Sequence, residues 1–123
     1  MRSNTIILFL LMIGNACFAQ NSNTPEKLLT GEWRCFSIKM ENEIIDPGTI
    51  NIEMIWKFDE NNFTQLFVEY GKTEIETGTF QIIAGRLYLN VGHTSLIAVY
   101  TIQGNILTAY FEKMEATYIF KKQ

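Results

Sequence analysis

One histidine, two cysteines, three close pairs of carboxylates and sixteen aromatic rings are the groups in this 123-residue chain whose types or spacing could do chemistry. His93 lies between Gly92 and Thr94 in a turn-like stretch. Histidine-assisted hydrolysis needs a nucleophile beside the imidazole and an acid to orient it, and zinc needs further His or Cys ligands. The sequence places neither around His93, which therefore reads as a turn residue. Cys35 falls two positions after Trp33, on the same face of a strand. A free cysteine there acts as a small apolar side chain pointing into a core. Glu41 and Glu43, Asp59 and Glu60, and Glu74 and Glu76 lie in or beside turns. Glycoside hydrolysis would need two carboxyls facing each other across a cleft, whereas solvated hairpin ends need nothing further. No glycine-rich phosphate loop or nucleotide fingerprint occurs. The reading is of a protein that is not an enzyme, with no metal site and no cofactor.

The aromatics are the feature with functional reach. Trp56, Phe58, Phe67, Phe80, Tyr100 and Phe111 are the candidate ligand-binding residues, because all six fall on the inward side of strands. Those strands follow from period-2 alternation: Ile52, Met54, Trp56 and Phe58 interleave with Asn51, Glu53 and Lys57, the pattern of a half-buried strand. Partners in an antiparallel hairpin point to the same side, so an even loop must join like faces. The expected loops pair Phe58 with Phe63, Ile82 with Leu87, Val91 with Leu96, Ile102 with Leu107 and Phe111 with Tyr118, apolar with apolar each time. With Trp33 to Met40 as the first strand this gives eight, preceded by a short helical turn at Pro25 to Leu29. An antiparallel sheet with one apolar face and no covering helices closes on itself. The fold class is therefore all-β, an eight-stranded antiparallel up-and-down barrel, with a two-sheet sandwich as the alternative.

One hairpin carries two readings. A two-residue loop at Gly71-Lys72 would bring Glu69, Glu74 and Glu76 to one rim of the barrel. A bulge at Thr77-Gly78, since glycine inside a strand often marks one, would turn Ile75 inward and all three carboxylates to water. The bulge is the expectation, because burying unpartnered carboxylates is costly.

Ahead of the domain, Arg2, the apolar run Ile6 to Ile13 and the small residues at Cys17 and Ala19 have the order of a secretory signal peptide. A membrane-spanning helix needs about 20 apolar residues, and this run is interrupted by Gly14-Asn15. The division expected is a signal peptide over 1–19, a polar lead-in over 20–27 and a barrel domain over 28–122. The exported chain would be periplasmic or secreted; Ala16-Cys17 leaves open a lipoprotein, anchored through an acylated Cys17. Without Arg2, nine basic residues face thirteen acidic ones. No basic stripe remains of the kind nucleic-acid binding requires.

Leu29-Thr30-Gly31-Glu32-Trp33 resembles the Gly-x-Trp motif that opens the first strand of lipocalins. Trp56-Lys57-Phe58-Asp59, Thr77-Gly78-Thr79-Phe80 and Tyr118-Ile119-Phe120-Lys121-Lys122 are similar to stretches of the lipocalin-like, calycin-type small barrels of exported Bacteroidetes proteins. The resemblance covers Leu28 to Lys122 and implies an eight-stranded meander barrel closed at one end by Trp33. In the wider superfamily such barrels carry small apolar ligands; short loops and the absence of a disulfide argue against a roomy cavity. Two functions follow as expectations. One is a binding module for a small apolar ligand or a peptide. The other is a packed barrel acting on a protein partner through outward Ile55, Leu66, Val68, Ile97, Val99 and Ile119, as a structural or inhibitory module of the envelope.

Overall fold

The computed structural model describes residues 24–123; the expected signal peptide and the Cys17 anchor lie outside them. Helix α1 (Pro25–Leu29) leads into strands β1 (Gly31–Met40), β2 (Glu43–Ile45), β3 (Ile52–Asp59), β4 (Asn62–Glu69), β5 (Lys72–Ile83), β6 (Arg86–Val91), β7 (Thr94–Gln103), β8 (Ile106–Phe111) and β9 (Ala116–Lys122), with a single 3-10 turn at Pro47–Ile50 between β2 and β3. Strands β1 and β3 to β9 pair antiparallel in order, and β9 returns to pair with β1. The result is a closed eight-stranded barrel. The ninth strand, β2, pairs only with the end of β1, as a flap. Closure pairs the first strand of the barrel with the last, so that neither is left as the edge of an open sheet.

The interior follows the alternation. Met54, Trp56, Phe58, Phe63, Phe80, Leu87, Leu89, Ala98, Leu107, Ala109, Phe111 and Phe120 are buried, and no buried side chain among the described residues is polar or charged. Phe58 faces Phe63, Ile82 faces Leu87 and Ile102 faces Leu107, as expected. Two turns differ from expectation, the first by being tighter and the second by a shift in position. Val91 faces Thr94 and Leu89 faces Leu96, so the β6–β7 loop is Gly92-His93 alone. Phe111 faces Ala116, and Tyr118 faces Ala109. Each differs from expectation by two residues, so the faces are unchanged.

The β4–β5 hairpin overturns the expected bulge. Tyr70 (φ 51°) and Gly71 (φ 80°) form the loop, and positive φ at both positions is the type I′ turn whose twist suits a two-residue hairpin. The register then runs unbroken from Glu69 opposite Lys72 to Asn62 opposite Thr79. Ile75 stays on the outside, and Glu74 and Glu76 share the inner face with Phe67 and Gln65. Gly78 serves instead as a point of close approach. Strand β5 pairs with β4 as far as Thr79 and with β6 from Gly78. A Cβ at Gly78 would lie 1.9 Å from the carbonyl oxygen of Asn90. A register shift does occur, but where β9 meets β1: Ile119 faces Ser37 and Phe120 faces Cys35, leaving Phe36 unpaired. The extra residue moves the inward positions of β1 from Trp33 and Cys35 to Ile38.

One pole of the barrel is sealed. Leu29 on α1 and Trp33 on β1 are wholly buried, and the Trp33 indole N–H donates to the Leu29 carbonyl at 2.8 Å. The Lys122 ammonium lies over the Trp33 ring, 5.5 Å from its centre. The turns at Ala84-Gly85 and Gly104-Asn105 share this pole with α1. The turns at Tyr70-Gly71 and Gly92-His93, and that at 112–115, surround the other.

Candidate functional site

Trp56 divides the interior. Its ring meets Phe58, Phe63 and Phe111 edge-on at 6.1, 5.5 and 6.0 Å and lies over Phe120 at 4.2 Å. Such contacts add about 0.5–1.5 kcal/mol per pair beyond burial. Toward α1 the space is filled: Phe58 packs on Phe63 at 5.3 Å and on Phe80 at 5.0 Å. Toward the opposite pole it opens. A cavity of about 290 Å³ stands on Trp56 and Phe111, walled by Met54, Phe67, Leu96, Met114 and Tyr118. Its remaining lining is polar: Gln65, Glu74 and Glu76. A recess of about 160 Å³ continues from it over Phe63, Leu89 and Val91, sharing Trp56, Gln65, Glu76 and Leu96.

The polar side is ordered. The Trp56 indole N–H donates to Gln65 Oε1 at 2.8 Å, and Gln65 Nε2 donates to Glu76 Oε1 at 3.3 Å. Indole is a donor only, so it holds the amide oxygen toward the floor and turns the NH2 to the carboxylate. Across the mouth, Tyr118 packs edge-on against Phe111 at 5.6 Å. Burial pushes the Tyr118 phenol up from its ordinary pKa, with a smaller contribution from Cys35, so it stays neutral at physiological pH.

The mouth also opens sideways. Strand β7 pairs with β6 from Thr94 to Val99 but with β8 only from Val99 onward. The first half of β7 therefore has no β8 neighbour. Through this gap the mouth meets a second cavity of about 290 Å³ on the outer wall, lined by Ile97, Val99, Tyr110 and Lys113; Leu96, Phe111 and Met114 line both.

The six candidate ligand-binding residues fall in two groups. Trp56, Phe67 and Phe111 line the mouth. Phe58 and Phe80 lie in the packed half, and Tyr100 packs against the core toward α1, where burial and then the Glu26 carboxylate raise its phenol pKa. Gln65, Glu74, Glu76, Met114 and Tyr118 join the mouth lining without having been singled out as ligand contacts. Their signal lay in the hairpin parity: an unbulged β4–β5 pair puts Gln65, Glu74 and Glu76 on Trp56's face. Of the outward apolar residues, Ile97 and Val99 are exposed, while Ile55, Leu66, Val68 and Ile119 are half-buried. His93 sits in the β6–β7 turn and Cys35 is buried on β1. Among the described residues no group of three or more His, Cys, Asp or Glu is placed to hold a metal, and no helix is long and apolar enough to cross a membrane.

A closed eight-stranded meander, plugged at one pole by a short helix and a Gly-x-Trp strand and open at the other, defines a lipocalin-like barrel fold. Three solved structures share it. A lipocalin-like protein from Bacteroides uniformis superimposes with a TM-score of 0.64 at 12% identity, over 78% of this chain and 99% of that one. An uncharacterized protein from Bacteroides eggerthii gives 0.63 at 9% identity, over 77% and 99%. A DUF4847 family protein from Bacteroides vulgatus gives 0.56 at 15% identity, over 80% and 97%. At these identities the likeness is one of fold. No protein-family model matches the sequence, and no curated protein matches it.

Proposed function

We propose that the chain is an exported binding module that holds a small, largely apolar molecule in the open mouth of its barrel, and that it is not an enzyme. Export rests on the order of charge, apolar run and small residues over 1–19. Binding rests on one observation: the interior is packed up to Trp56 and open beyond it, leaving about 290 Å³ over an aromatic floor. That is near the lower end of the range for small-molecule pockets, roughly 300–1,000 Å³. The apolar walls supply binding energy in proportion to the area they dry, about 25 cal/mol per Å².

The test uses the neutral fluorophore N-phenyl-1-naphthylamine. Its emission rises in apolar surroundings, and a ligand resting on Trp56 quenches the indole. Saturable binding with tryptophan quenching is expected, weakened by Phe67→Ala in the mouth and untouched by Val99→Asp on the outer wall. Absence of binding, or the reverse dependence on the two variants, overturns the reading.

A further inference from the structure

The mouth draws its polar character from one pair of strands. Phe67 faces Glu74, and Gln65 faces Glu76, across β4 and β5. All four line the same cavity. Gln65 is committed at both ends, its oxygen to Trp56 and its NH2 to Glu76. What remains on that side are two carboxylates, which when ionised only accept hydrogen bonds. No Lys or Arg lines this cavity. Lys72 shares a neighbouring recess with Glu69, Tyr70 and Glu74 but makes no ion pair with either carboxylate of the mouth. The ion pair among the described residues joins Arg34 to Glu53, on β1 and β3. Glu74 and Glu76 therefore bring two carboxylates, neither held in an ion pair, to the rim of an apolar chamber. Across from them stands only the neutral Tyr118 hydroxyl.

From this asymmetry we infer that the mouth selects an organic cation: an amine or ammonium head carried on an apolar body the size of one aromatic ring with a short chain. The inference rests on the mouth being the binding site. The cavity makes the site; the two carboxylates decide which head group it accepts. An ammonium has three donors and no acceptor, which suits a side where two carboxylates offer acceptors against a single remaining N–H of Gln65. A carboxylate head would meet like charge as it left water, and repulsion of that kind is a strong basis for discrimination. The indole–amide–carboxylate chain fixes where the selective charge sits: with its NH2 turned outward, Gln65 holds Glu76 beside the floor. Gln65 is thus a positioning residue for Glu76.

Three probes share one body and differ in the head: 4-phenylbutylamine, 4-phenylbutan-1-ol and 4-phenylbutanoate, titrated at low ionic strength by calorimetry and tryptophan quenching. The amine is expected to bind about tenfold more tightly than the alcohol, the gain typical of a charge-assisted hydrogen bond, and the carboxylate most weakly. In the Glu74→Gln/Glu76→Gln double variant, shown folded by circular dichroism, the advantage of the amine over the alcohol should disappear. Added salt should weaken only the amine with the native protein. An amine no tighter than the alcohol, or a preference that survives the double variant, overturns the selectivity while leaving the mouth as a binding site. Failure of all three probes, the neutral alcohol included, overturns the binding reading and the selectivity together.

Discussion

Trp56 is the residue on which packing and binding both turn. It supports four aromatic rings below and beside it, forms the floor of the mouth above, and anchors Gln65 through its N–H. Trp56→Ala should lower the unfolding free energy by about 3–5 kcal/mol, as large-to-small core substitutions of this size do. Guanidinium denaturation followed by circular dichroism measures it, and a loss below 1 kcal/mol would contradict the ring contacts. Alternation in the sequence was enough to place Trp56 inward. It could not show that Phe111 and Phe120, from the last two strands, complete its surroundings, because those contacts exist only once β9 closes on β1. The same limit applies to the six aromatics as a group. Period 2 fixes the face on which a side chain lies but not its height along the barrel axis. Height depends on register and strand tilt, and it separates Phe67 at the mouth from Phe58 and Phe80 in the packed half.

Among the elements, β5 shows how a barrel of this kind turns its corners. It pairs with β4 over its first two-thirds and with β6 over its last half, changing partner at Gly78-Thr79. The β6 backbone crosses so near Gly78 that a methyl group would overlap the Asn90 carbonyl. Gly78→Ala should therefore destabilise by about 1–3 kcal/mol or more, since backbone rather than a yielding side chain must move. Thermal melts of the variant beside the native protein test this, and an unchanged Tm would mean that β5 and β6 part more easily than their spacing indicates. A glycine inside a strand has more than one physical meaning, bulge or close approach among them, and the residues around Gly78 do not say which applies. The cost of burying carboxylates pointed to the bulge. Glu74 and Glu76 avoid that cost differently, remaining exposed at the rim of the inner face. The bulge in β1 left no comparable signal, for Phe36 and Ser37 are ordinary strand residues. Hairpin parity was legible because apolar partners meet on one face whether a loop has two residues or four.

At the scale of the whole molecule, Cys35 couples stability to alkaline pH. Burial is the main reason its thiol pKa rises from 9.0 to about 11, against the lowering effect of hydrogen bonds with the Ser37 and Ile119 backbone. The native protein thus keeps a proton that the unfolded chain gives up. This contribution is complete below about pH 9 and is lost as pH climbs through about 11. Tyr100 and Tyr118, both raised chiefly by burial, act in the same direction. Unfolding free energy should fall across this interval, and Cys35→Ala should flatten its lower part; a flat profile in the native protein would contradict the burial of all three. The poles of the barrel have a separate consequence, for attachment. Both ends of the described chain meet at the plugged pole, where α1 begins at Pro25 and the Gln123 amide donates to the Glu32 carbonyl at 2.9 Å. Whatever tethers the protein through either end is therefore held on the side away from the mouth. For a lipid on Cys17, the seven residues to Thr24 give a reach of at most about 25 Å at full extension. A barrel so attached would be tethered through its plug, with its mouth at the pole far from the point of attachment.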